Sequence, residues 1–268
     1  MAALKSDPSR RDAKIEDPGP SGLARVMMEL KELAADFEVV LMCADQDIGK
    51  VQSLQEQGRR REDIQLQARR LAIAELSTKY TRKSIRRSLD WAESLGKLAE
   101  ERLLSALESE SVEEPSLGST QNGYFRLYST DLFDKLGQPT DLRFGTLRFQ
   151  TSQNDSASAP PSDRTAVELA LDSAFFVADS LETLPYHSFS IPESPSLQNR
   201  GILSRKWEDG GAFPEYDSWL LFTFLGNGCL KVEIPIEMCA DVYGGALRGR
   251  ENEEVLFWGI FVEDDATS

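Results

Sequence analysis

Between Leu23 and Ala44 the apolar residues advance by threes and fours: Leu23, Val26, Leu30, Leu33, Phe37, Val40 and Ala44. That spacing places side chains along one stripe of an α-helix and matches the seam of a coiled coil. The stripe slips by one position at Asp47/Ile48 and continues through Val51 and Leu54. It predicts a first helix of about 35 residues, about 50 Å long. Gly58, inside "EQGRRRED", suits its C-cap. A second helical stretch carries Leu66, Ile73, Leu76 and Tyr80, and a third Ile85, Leu89, Trp91, Leu95, Leu98, Leu103 and Leu107. Whether those two are continuous is left open by the pattern. Two packings satisfy it: an antiparallel hairpin turning at Gly58, or an intermolecular coiled coil. "VMMEL" and "FEVVLMC" make the first helix apolar over more than one stripe, which favours burial on several sides and hence a bundle.

Beyond "ESESVEEPSLGSTQNG" the period changes. Apolar residues now alternate or bunch in short runs rich in β-formers. "YFRLYS" and "LRFGTLRF" read as strands, with Leu142, Phe144, Leu147 and Phe149 on one face and Gly145-Thr146 as a bulge. "TAVELALDSAFFVADSLETL" is compatible with helix or strand, and "FSIPESPSLQNRG" with an irregular segment. The strongest local signal is "SWLLFTFLGNGCLKVEIP", two β runs around Gly226-Asn227-Gly228, whose residues accept positive φ cheaply. Pro235 should end the second run, because it has no N–H for a ladder. "EVLFWGIFVED" predicts a further strand, with "ADVYGGALRGRENE" as a connecting loop.

The fold class expected is therefore α+β: an N-terminal long-helix hairpin or bundle, with a coiled coil as one of its forms, followed by a mostly antiparallel β-rich domain. The expected layout is a disordered leader over 1–20, the helical region over 21–110, a linker over 111–122 and the β-rich domain over 123–268. A mobile polar loop is expected near 151–164.

Charge changes this picture at one place. The 268 residues carry a net charge of −15, yet Arg59 to Arg87 hold ten basic and three acidic residues, a local +7 against −22 elsewhere. Within this stretch "YTRKSIRRSL", Tyr80–Leu89, resembles the recognition helix of a helix-turn-helix, with Thr81 at the N-cap and Lys79 where the turn usually has glycine. The resemblance implies a nucleic-acid-associated regulator using residues 78–89. The alternative for Arg82, Lys83, Arg86 and Arg87 is a solvated face paired to acidic neighbours, or a site for an acidic protein partner.

Catalytic chemistry has little to work with. His187 is the only histidine, and Cys43, Cys229 and Cys239 are spaced neither for a disulfide framework nor for zinc. No phosphate loop, cofactor motif or chelating carboxylate set is present, so no cofactor, no metal and no enzyme activity are expected. No apolar run approaches the roughly 20 residues a bilayer requires, so no membrane partner is expected. Reduced thiols point to cytoplasm or nucleus. Trp219, Leu221, Trp258 and Phe261 are candidates for a small-ligand face or for core. The expected function is a non-enzymatic interaction or scaffold protein. It would associate through Leu23, Val26, Leu30, Leu33, Phe37 and Val40, with a protein partner or with itself, and use its β-rich domain for recognition.

Overall fold

A computed structural model describes residues 21–46, 54–108, 116–142, 145–152, 164–184, 187–208, 211, 213 and 216–264. The expected leader, most of the polar loop and the start of the linker lie outside the described residues. The chain divides into two compact units, Met1–Tyr80 and Thr81–Ser268.

The first unit is a pair of helices. Helix α1 spans Gly22–Gln46 and helix α2 spans Leu54–Glu108, the latter passing on into the second unit. Side-chain bonds fix the two as antiparallel. Gln65 Nε2 donates to Glu38 Oε1 at 3.0 Å, while Lys79 Nζ lies 3.1 Å and the Tyr80 hydroxyl 3.4 Å from Glu29 Oε2. The hairpin is therefore as expected, but its turn is not at Gly58. That glycine lies inside α2 with open space around it. Its cost, about 1 kcal/mol relative to alanine, is carried by the Gln, Glu and Arg around it, all good helix formers. The connection falls between Gln46 and Leu54. The second and third helical stretches are one helix of 55 residues.

On α1 the half-buried side is Val26, Glu29, Leu30, Leu33, Phe37, Glu38 and Leu41, the same side whose glutamates bond α2. Leu23 and Val40 fall off it, being 73 % and 64 % exposed. A strict seven-residue row drifts about 20° per heptad on a straight α-helix, which carries Val40 away and brings Leu41 in. On α2 the opposing positions are small: Ala68 and Ala72 are fully buried, with Leu76 beside them.

In the second unit, eight antiparallel strands close into a barrel with neighbours in chain order. They are β1 Gly123–Tyr128, β2 Thr146–Ser152, β3 Arg164–Leu171, β4 Ala174–Asp179, β5 Ser196–Lys206, β6 Trp219–Gly226, β7 Cys229–Pro235 and β8 Glu254–Glu263. β8 pairs with β7 and returns to β1, Gly123 opposite Glu263. Closure is what the sequence reading lacked. The β6–β7 hairpin turns through Asn227 (φ 53°) and Gly228 (φ 71°), and β7 ends at Pro235. The ambiguous segment is the β3–β4 hairpin, turning at Asp172 with φ 49°. Part of the segment expected to be irregular is β5. Two short helices are not expected from the sequence: α3, Thr130–Lys135, capped by the Ser129 hydroxyl, and α4, Ile236–Tyr243, whose second half falls in the expected connecting loop. Gly145 marks no bulge. A Cβ there would lie 2.6 Å from the Ala170 carbonyl oxygen, so the glycine permits close strand approach.

An eight-stranded barrel is just wide enough for side chains to fill, and here they do. Phe149 contacts Phe125, Phe222 and Phe224 with ring centroids 5.5–5.9 Å apart, and Phe189 adds to Phe222 at 5.8 Å. Leu132 of α3, and Ile236, Met238 and Cys239 of α4, belong to the same buried cluster.

Residues 81–108 of α2 lie along the outside of the barrel. Ala99 and Leu103 pack with Leu225 and Trp258, and Gly96 meets the Trp258 ring so closely that a Cβ would overlap it. Thr130 Oγ1 donates to Glu93 at 2.5 Å, and Lys231 lies 3.5 Å from Glu100. Among the described residues no helix is long and apolar enough to cross a membrane.

Candidate functional site

The helices offer two exposed surfaces, one in each unit. In the first unit α1 has a second apolar row on the side away from α2. Ala24, Met28, Ala35, Val39 and Cys43 are spaced by four, seven, four and four, and all are exposed, Met28 at 55 % and Val39 at 61 %. At 100° per residue Met28 sits about 200° from Val26. The six residues expected to drive association therefore split: Val26, Leu30, Leu33 and Phe37 serve the hairpin, while Leu23 and Val40 remain exposed.

In the second unit the basic stretch is interior to α2, so Thr81 caps nothing and no turn precedes Tyr80–Leu89. The recognition-helix geometry implied by the resemblance is absent. The chain also occupies part of the charge itself. Arg82 Nε donates to the Gln138 carbonyl at 2.7 Å. Arg86 bonds Asp90 at 2.8 Å and Asp134 at 2.7 Å, and these hydrogen bonds raise its pKa further. Lys83 and Arg87 make no ion pair among the described residues. A row beginning at Arg87 is exposed beside them: Trp91 at 53 %, half-buried Leu95, Leu98 at 41 % and Arg102.

The barrel adds an open cleft of about 980 Å³ at one end, between Trp219 and Leu221 of β6, α4 and the 247–254 loop. Three of its six acids are engaged by the chain's own donors. Glu237 accepts from the Asn252 N–H at 2.9 Å, Asp241 pairs with Lys206 at 3.0 Å, and Glu253 takes Arg250 and Lys135 at 3.5 and 3.4 Å. Glu233, on the outer face of β7, has its carboxyl held above the usual range by burial and by Glu254.

Compared with known proteins, the chain matches no family, no curated protein and no solved structure.

His187 is exposed and lies against Trp219, ring centroids 6.4 Å apart. Burial pushes the Cys239 thiol up to about 12 and raises that of Cys229, opposite to what a thiolate nucleophile needs. Among the described residues no three His, Cys, Asp or Glu are grouped to hold a metal ion. Of the aromatic ligand-face candidates, Trp258 lies under α2, Phe261 packs on Phe125 at 5.2 Å, and Trp219 with Leu221 lines the cleft. Sequence reasoning passed over Met28, Val39 and Arg102. The signal for the first two was the width of the apolar surface on α1.

Proposed function

We propose that the protein is a non-enzymatic interaction protein that self-associates through the outer face of α1, in the reducing cytoplasm or nucleus. The observation that carries this is the second apolar row, Ala24, Met28, Ala35 and Val39, left uncovered on a helix whose other face already serves the hairpin. A helix apolar on two sides belongs inside a bundle. Two hairpins meeting along this row form a four-helix arrangement with the coiled-coil-like packing such bundles use. The barrel then acts as a rigid module carried by the assembly.

Sedimentation equilibrium of the full chain tests this. The expected result is a dimer or higher species that Met28→Lys/Val39→Lys converts to monomer, with the barrel's melting unchanged. A chain that stays monomeric across a wide concentration range, or an assembly indifferent to both lysines, overturns it.

A further inference from the structure

Resting on the reading that the helices serve association, we propose that the row Arg87, Trp91, Leu95, Leu98 and Arg102 docks an amphipathic helix of a partner protein, one whose heptad apolar residues are flanked by Asp and Glu. α2 carries two rows in this region. Leu89, Ala92, Gly96, Ala99 and Leu103, spaced by three and four, are buried on the barrel. The docking row is spaced by four, four, three and four and lies about 100° round the helix from the first, so the barrel leaves it uncovered. It is a seam without its partner.

Charge selects the partner. Arg87 and Arg102 bracket the row and Lys83 stands one turn before it, and none of the three makes an ion pair among the described residues. On the opposite flank Arg86 pairs with Asp90 and Asp134, and Lys97 pairs with Glu93 at 2.6 Å. Of the carboxylates beside the row, Asp90 is taken by Arg86, and exposed Glu101, next to Arg102, makes no ion pair among the described residues, so three cations stand against one such acid. Cations free at both ends of an apolar strip are met by acids flanking an apolar seam, the arrangement that sets partner choice in coiled coils. An exposed Trp beside Arg is also the composition in which interface energy concentrates.

The same features favour a protein helix over nucleic acid. From Arg87 to Arg102 is about 22 Å of helix, and the surface between them is indole and leucine instead of the closely repeated cations that phosphates call for. The chain as a whole bears −15, which opposes a polyanion.

The test measures binding of the full chain to a labelled three-heptad peptide with Leu in the seam and Glu on both flanks. Comparison probes are the same peptide with Lys for Glu, a scrambled version, duplex DNA and phosphatidylserine vesicles. The expected result is saturable binding of the acidic peptide, weakened at least about tenfold by Trp91→Ala. In Arg87→Glu/Arg102→Glu the preference should invert, so that the Lys peptide binds and the Glu peptide does not. All three substitutions are at the surface, and an unchanged thermal melt shows that the variants fold. The proposal is overturned if acidic and basic peptides bind the native chain equally, if the scrambled peptide binds as well, or if Trp91→Ala changes nothing. It is also overturned if the charge reversal abolishes DNA or vesicle binding while no peptide binds. A chain that binds the acidic peptide but sediments as a monomer overturns the self-association alone. Self-association without peptide binding overturns only this proposal.

Discussion

Replacing Gly96 by alanine should destabilise the barrel unit, against the usual trend. In a helix interior Gly→Ala normally gains about 1 kcal/mol, because alanine loses less backbone freedom on folding. At Gly96 the added methyl would overlap Cε3 of Trp258 and come within 2.6 Å of Cδ2 and Cζ3, where carbon pairs rest at about 3.5–4.0 Å. The indole has no room to retreat. It is 3 % exposed, packed with Ala99, Leu103 and Leu225, and Lys231 Nζ lies 5.9 Å from its ring. Either the helix lifts by about an ångström or the ring leaves its rotamer. Overpacking of this kind costs roughly 1–3 kcal/mol, which leaves a net loss of up to about 2 kcal/mol after the helix gain. For a domain of this size that lowers Tm by up to roughly 8 °C. Thermal unfolding followed by circular dichroism and by tryptophan emission reads the shift. Gly58→Ala is the built-in control: nothing lies within 4 Å of its Cβ position, so it should gain about 1 kcal/mol in the first unit. On a Trp258→Leu background the Gly96→Ala penalty should vanish, a coupling of about 1–3 kcal/mol. A Gly96→Ala variant that melts higher than the native chain would refute the close approach of α2 to the barrel.

Phe222→Ala, at the centre of the barrel's ring cluster, should cost about 3–5 kcal/mol by urea unfolding, with most of the loss from the cavity it leaves. Arg86→Ala should cost no more than about 1 kcal/mol, since both its carboxylate partners are exposed; a larger loss in the same assay would contradict the surface-pair geometry. Glu233 is held above its ordinary pKa, so its folded form binds the proton more tightly than the unfolded chain, and stability falls as pH rises from the ordinary carboxylate range through the folded pKa. Glu233→Gln should therefore melt higher than the native chain at pH 7 and equal to it at pH 3; equal melts at both would remove the effect. With a thiol reagent, exposed Cys43 should react at once and Cys239 only on unfolding, and rapid modification of Cys239 in the folded state would be inconsistent with the packed barrel core.

What was legible in the sequence was what is local. The Gly226-Asn227-Gly228 turn needs only its own φ angles, and Pro235 ends its strand for want of an N–H. The hairpin of helices followed from the row on α1, though its turn did not, because a glycine among strong helix formers reads as a stop without being one. α2 was harder. Its buried seams are built from small residues, Ala68, Ala72, Ala92, Gly96 and Ala99, while Leu66, Ile73, Trp91 and Leu98, which carry the visible period, face outward. Closeness of packing selects alanine and glycine, and a hydrophobicity pattern weights them least. α3 escaped notice because six residues show no period, although the cap from Ser129 to the Leu132 N–H was present. Of the candidate site, the basic stretch was visible, but which of its cations are free depended on Asp134 and Gln138, about fifty residues further on.

Barrel closure also carries a kinetic consequence. Seven of the eight strand pairings join strands adjacent in the chain, through connections of no more than 18 residues. The eighth joins Gly123 to Glu263, 140 residues on, and its loop-closure entropy is recovered only when the last strand is in place. Until then β1 and β7 each present an open edge, available to any extended segment nearby. The interval before β8 docks is the vulnerable stage in this protein's folding, and removal of Glu254–Glu263 would make that stage permanent, leaving an aggregation-prone open sheet in place of a shorter barrel.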